Sequence, residues 1–189
     1  MVIWLLFALA AGGILILWWG SQVKVGKSQL KVVEEGGDSF PQVSGYNLQR
    51  EEYQFPEDFA GRWNLLIVPF QREQQRDVNT WIPSAQKLEA AVPGFMYYEL
   101  PTISRLPTLS RTFINEGMRA GIPDSTARTR TITLYIDKAA FKEALGITSE
   151  DSIHLFLVDQ EGEILWRERG RVSEDALSSL QRTLEKLSG

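Results

Sequence analysis

An α/β sandwich, with a mainly parallel sheet, an antiparallel edge and helices on both faces, is the fold class that this sequence predicts. Three observations predict it. Trp63-Asn64-Leu65-Leu66-Ile67-Val68-Pro69-Phe70 is a nearly continuous apolar run, the mark of a strand buried on both faces. Strand-like and helix-like patterns then alternate as far as Ile136. The chain closes with strand, tight turn, strand and an amphipathic helix.

Taken in order, Phe40-Pro41-Gln42-Val43 and Tyr46-Asn47-Leu48 read as strands joined by a turn at Ser44-Gly45. The loop Phe55 to Gly61 leads into the buried strand, which Pro69 should end because it has no N–H for the ladder. After the polar stretch Gln71 to Asp77, the spacing of Trp81, Ala85, Leu88 and Val92 predicts a helix stopped by Pro93-Gly94. Phe95 to Leu100 reads as a strand. A second helix carries Leu109, Phe113 and Gly117 on one face and stops at Gly121-Ile122-Pro123. Thr131 to Ile136 alternates as a strand, and Asp137 is placed to cap a helix Lys138 to Leu145 that Gly146 terminates. Ile153 to Val158 and Glu163 to Trp166 flank the turn Asp159 to Gly162. Ser173, with Glu174 and Asp175 behind it, starts a last helix whose stripe is Leu177, Leu180, Leu184 and Leu187.

The 189 residues carry a net charge of −4 and no Lys/Arg stripe, so nothing displaces counterions from phosphates and no nucleic-acid partner is expected. With 0 cysteines, the chain has no disulfide, no thiolate nucleophile and no Cys-based metal site. Its 1 histidine, His154, lies in the run Ile153 to Val158 and reads as a half-buried strand residue rather than a metal ligand or triad member. Glu51 and Glu52 are sequence neighbours that a strand would point to opposite faces, so they do not read as an acid–base pair. The reading calls for no cofactor.

Before Lys24 there is no charged side chain. Met1 to Trp19, at about 1.5 Å per helical residue, is long enough for a hydrocarbon core of about 30 Å, and Trp18-Trp19 suit its interface. The absence of a basic segment before this run argues for an uncleaved anchor over a secretory signal. The expected layout is a transmembrane anchor at 1–20 held in membrane lipid, a linker at 21–38 and the α/β domain at 39–189. Lys24, Lys27 and Lys31 follow the span and none precedes it, which places the domain on the cytoplasmic or matrix-like side of an inner or plasma membrane. Gly20 to Ser28 has neither the spacing nor the preceding strand of a phosphate loop.

The order of elements with its N-terminal hairpin resembles the thioredoxin superfamily over roughly Phe40 to Leu187. The resemblance implies a thioredoxin-like three-layer sandwich with an N-terminal β-hairpin, preceded here by one transmembrane helix. Pro83 matches the proline inside the helix that follows a Cys-x-x-Cys pair, so the paired-cysteine positions fall on Gln75 and Val78. The proline that sits cis before the strand facing the active site would fall near Ser152. Neither Gln75 nor Val78 can supply the thiolate that exchange requires. Within the superfamily, Trp81-Ile82-Pro83, Tyr135-Ile136-Asp137 with Ala144-Leu145-Gly146, and Leu157-Val158-Asp159-x-x-Gly162-x-Ile164-x-Trp166 are similar to the F-type ATP synthase assembly factors of the mitochondrial inner membrane and their bacterial relatives. That resemblance implies a non-enzymatic chaperone for a membrane subunit of the synthase.

The loop Gln71 to Asp77 reads either as a partner-docking loop, through Arg72, Gln75 and Arg76, or as a solvated loop in which Asp77 or Asn79 caps a helix. Trp81 and Trp166 read either as binding anchors or as core. Arg105, Arg111, Arg128 and Arg130 supply loop charge for an acidic partner, for lipid headgroups, or for solvent alone. The expected function is binding, not catalysis, in the assembly of a membrane complex. The alternatives are a non-catalytic scaffold of an envelope thiol-redox or cytochrome-maturation system, and a cysteine-free enzyme using the cleft above the sheet.

Overall fold

The computed structural model describes residues 37–188. The anchor expected at 1–20 and most of the expected linker lie outside the described residues. No helix among the described residues is long and apolar enough to cross a membrane. At Gly37 the chain already belongs to the domain: Gly37 N–H donates to Ala144 O at 3.1 Å, and Ile164 N–H to Asp38 O at 2.7 Å.

β1 (Val43–Asn47) and β2 (Glu52–Phe55) form an antiparallel hairpin. Its turn is not at Ser44-Gly45, as the sequence suggests, but at residues 48–51, where Asn47 Oδ1 accepts the N–H groups of Gln49 and Glu51, both at 2.9 Å. Gly45 lies mid-strand for a different reason. A Cβ there would stand 2.7 Å from Thr133 O on the neighbouring strand, so its role is close backbone approach.

β3 (Trp63–Val68) pairs in parallel with β4 (Phe95–Glu99) and antiparallel with β7 (His154–Val158), which pairs with β8 (Ile164–Arg169). β5 (Thr102–Ser104) pairs in parallel with β6 (Ile132–Ile136), and β6 joins β1. The two ladders, β2-β1-β6-β5 and β4-β3-β7-β8, meet because β4 runs through Leu100-Pro101 into β5. Leu100 and Thr102 N–H groups bond back to Ile67 O and Pro69 O at 2.8 and 2.9 Å. Pro69 itself follows the last residue of β3, as expected.

β3 is buried along its whole length and divides its side chains by period two. Leu65 and Ile67 face α1 (Gln75–Ala91) and α5 (Glu174–Ser188), packing with Val78, Trp81, Ala85, Leu88, Leu180 and Leu184. Leu66 and Val68 face Phe40, Phe55, Phe59 and, from α4 (Lys138–Leu145), Phe141 and Leu145. This is the expected three-layer sandwich. Asp137 caps α4 through Ala139 and Ala140 N–H, and Gly146 ends it at φ 66°, as the residues suggested.

Two segments depart from expectation. Arg128 and Arg130, read as loop charge, lie in a helix: Ser125–Arg130 forms α3, with Asp124 Oδ1 accepting Ala127 N–H at 2.7 Å. Thr108–Gly121 forms α2, yet no residue of α2 is buried, and Leu109 and Phe113 are 87% and 83% exposed.

At the β7–β8 turn, Gly162 has φ +86°, and an added Cβ would meet Pro56 Cβ at 2.9 Å. Gly162→Ala therefore combines an unfavourable φ with a clash. It is expected to lower stability by about 2 kcal/mol, read as a drop in midpoint in chemical denaturation.

Candidate functional site

The parallel strands β3, β4 and β5 end at one edge of the sheet, and α1 starts there. Between β3 and α1 the chain makes a short 3-10 turn, Arg72–Gln74. Gln75 is the first residue of α1, and Pro83 lies inside that helix. The positions matched to the cysteine pair therefore stand at a helix N-terminus, as the resemblance requires. Gln75 is exposed and Val78 is fully buried.

A clamp of amides holds this edge together. Gln74, 5% exposed, accepts Phe70 and Gln71 N–H on its Oε1 at 2.8 and 3.2 Å and donates through Nε2 to Glu150 O at 2.6 Å. Gln71 Nε2 donates to the same carbonyl at 3.2 Å. The loop before α1 is thus tied to the segment before β7. The Glu150 carboxylate turns to Lys138 and Lys142, whose ammonium groups hold its pKa below the usual value against the opposing effect of burial. With Ser104, Arg105 and Asp137 these groups line a hollow of about 540 Å³. The peptide bond before Ile153 is not a cis-prolyl bond; the cis bond among the described residues is Phe55–Pro56.

Of the residues singled out from sequence, Arg72, Gln75 and Arg76 come together on an exposed patch, spaced as neighbours over one turn. Asp77 faces Arg76 at 4.0 Å and Arg171 at 3.6 Å. Trp81 does not join that patch. It is fully buried, its ring meets Trp166 edge-on at 6.2 Å, and its indole N–H donates to Gly170 O at 2.9 Å. Trp81 as a surface anchor is thereby corrected: with no exposed area it is core, because Val78, Trp81, Ala85 and Leu88 form the stripe that α1 turns to the sheet. Trp166, 9% exposed, is core as well. His154 is more buried than expected, at 3%, with Nε2 2.9 Å from Ser149 O.

The arginines divide. Arg111 donates to Leu106 O and stacks on Tyr135, Arg128 donates to Ile122 O, and Arg130 pairs with Glu89 over Tyr97 and Tyr98. All three are structural. Arg105 stays exposed.

One residue was missed. Glu99, the last residue of β4, is 6% exposed, and its Oε1 has no hydrogen-bond partner among the described residues. Alternation from Tyr97 turns it to the α1 face. Burial pushes its carboxyl up to about 7, and the Gln75 side chain opposes that shift. A buried acid thus stands beside Gln75, the position that the resemblance matches to a cysteine. Its signal in the sequence is a lone carboxylate inside the strand run Phe95-Met96-Tyr97-Tyr98-Glu99-Leu100.

No family model and no curated protein matches the chain. Solved structures do. A thiol:disulfide interchange protein from Bacteroides sp. aligns with a TM-score of 0.51 at 17% identity, covering 79% of this chain and 90% of that one. The exposed lipoprotein thioredoxin of Streptococcus pneumoniae aligns with 0.51 at 14%, covering 77% and 99%. BsSco, a member of the Sco family of cytochrome c oxidase assembly proteins, aligns with 0.50 at 13%, covering 79% and 95%. At such identities the likeness is one of architecture, and it agrees with the strand order and the placement of Gln75 and Pro83: the chain has a thioredoxin-like fold.

Proposed function

We propose that this chain works by binding: a membrane-anchored, redox-inactive thioredoxin-fold protein that serves as an assembly or chaperone factor for a membrane complex such as F-type ATP synthase. The observation that carries the reading is the absence of any cysteine from a fold whose solved neighbours include a thiol:disulfide interchange protein. Thiol–disulfide exchange needs a thiolate, and Gln75 and Val78 offer none. What the edge still presents is recognition chemistry: two exposed guanidinium groups and an amide at the start of a helix, on a loop braced by Gln71 and Gln74. The apolar run Met1 to Trp19 supports the anchor, and Lys24, Lys27 and Lys31 support a cytoplasmic or matrix-side domain. The carrying of this fold by BsSco, of a cytochrome c oxidase assembly family, is compatible with an assembly role.

The test is crosslinking in native membranes from a photoreactive residue at Gln75, followed by mass spectrometry. Capture of an ATP synthase membrane subunit is the expected result. The triple variant Arg72→Ala, Gln75→Ala, Arg76→Ala is expected to lose that crosslink, scored from a neighbouring position, while its unfolding midpoint stays within about 0.5 kcal/mol of the parent. Capture of a cytochrome-maturation component instead moves the chain to that system.

Glu99 favours a second reading, a cysteine-free enzyme. A carboxyl poised near neutrality is suited to general acid–base work. Turnover in a substrate screen that disappears in Glu99→Gln would establish it.

A further inference from the structure

Most side chains as large as Leu109 and Phe113 are covered by something. α2 leaves both in the open, on successive turns of one helix that has no buried residue of its own. The half-buried residues Arg111, Ile114, Asn115, Met118 and Arg119 lie on the other side, where Tyr135 Oη donates to Asn115 Oδ1 at 2.8 Å and Arg119 Nε to Leu48 O at 2.7 Å. At 100° per residue, Leu109, Phe113, Gly117 and Ala120 therefore form one outward apolar strip. Nothing lies within 4 Å of a Cβ built on Gly117.

α2 itself carries two arginines, Arg111 and Arg119, against one acid. The acid on α2 is Glu116, and both Arg50 and Arg119 pair with it, at 3.0 and 3.4 Å. Arg105 is exposed in the loop before α2, four residues ahead of Leu109 in sequence. An apolar strip on a helix whose one acid is already paired by two guanidinium groups suits the boundary between headgroups and acyl chains of an anionic leaflet. The sequence before the domain supplies the reason for that occupant over others. Residues 20–36 separate the apolar run from Gly37, and 17 residues cannot reach beyond about 60 Å even when fully extended. On the anchored reading a lipid surface lies within that bound, and Lys24, Lys27 and Lys31 support the side whose leaflet carries anionic lipid.

We propose that the outer face of α2, through Leu109 and Phe113 with Arg105 and Arg50 beside them, lies on the anionic bilayer surface and orients the domain against it. The inference rests on the anchored reading above.

The chain has no cysteine, so a single introduced cysteine takes a single label. Ala120→Cys, exposed on the same strip, and Glu161→Cys, exposed at the β7–β8 turn, each receive a solvatochromic dye in the full chain, reconstituted into vesicles with or without phosphatidylglycerol. The expected result is a blue-shifted emission at position 120, quenched by brominated acyl chains, only in the anionic vesicles. Position 161 should report water in both. Leu109→Ser with Phe113→Ser should abolish the shift, and Arg105→Glu should weaken it, with the circular dichroism unchanged.

Vesicle flotation separates the two claims. If the chain floats and position 120 reports water, or reports lipid equally in the double-serine variant, the α2 proposal is overturned and the anchor stands. If the chain does not float, the anchor is refuted and the α2 proposal falls with it. An apolar signal in native membranes that pure anionic vesicles do not reproduce assigns the strip to a protein partner and overturns the lipid assignment.

Discussion

Trp81→Ala is expected to cost about 4 kcal/mol of unfolding free energy, the largest loss of any single substitution considered. Trp81 is fully buried between α1, the sheet and α5, so its removal leaves a cavity that the neighbouring Trp166, Leu180 and Leu65 fill only in part. It also leaves the Gly170 carbonyl without the indole N–H that reaches it at 2.9 Å. Trp81→Phe separates the two effects. A phenyl ring restores much of the volume but no donor, so the remaining loss should fall to about 2 kcal/mol. Equilibrium denaturation followed by circular dichroism checks both variants, and a loss below about 1 kcal/mol for alanine would show that Trp81 is not the keystone of this face.

Glu99→Gln should act in the opposite direction and depend on pH. The folded protein holds the Glu99 carboxyl at about 7, above its ordinary 4.5, because burial disfavours the charged form. Below 4.5 both folded and unfolded states are protonated, and the favourable contribution is fully present. As pH rises from 4.5 to 7, the unfolded chain releases the proton while the native chain keeps it. Stability from this residue then falls by about 1.4 kcal/mol per pH unit. The loss is complete once pH has passed the folded pKa, at about 3 kcal/mol in total. Glutamine keeps the shape and never ionises. Glu99→Gln is therefore expected to match the parent near pH 4.5 and to exceed it by up to about 3 kcal/mol near pH 8. Urea denaturation across that range measures the difference, and parallel curves for the two proteins would mean that Glu99 is not desolvated. The same variant bears on function. If Glu99 serves only to sit under Gln75, partner capture survives the substitution.

The contrast between these two residues shows which parts of the site were legible. Trp81 is placed in the core by its spacing with Ala85 and Leu88, although the same residue was also open to a binding role. Glu99 carries no comparable pattern. A carboxylate in a strand is dangerous or innocuous according to what covers it, and α1 covers it only after β3 and β4 have paired. The clamp through Gln71 and Gln74 is equally invisible, since the carbonyl they share belongs to Glu150, 79 and 76 residues away. Arg130 looked like loop charge; α3 carries it over Tyr97 and Tyr98 and against Glu89, whose positions come from other elements.

By itself the sequence determined the run of β3, the helical stripe of α1, the caps of α4, the closing hairpin and the absence of thiol chemistry. Each of these depends on residue type and on spacing over a few positions, where periodicity, capping and backbone preference act. Only the tertiary structure decided that Gly45 is a point of close approach, that Glu99 is desolvated, and that Leu109 and Phe113 face outward. Those properties are set by which distant surfaces meet. A helix states its apolar strip locally, but whether that strip meets a core or is left open is settled by the packing of everything else.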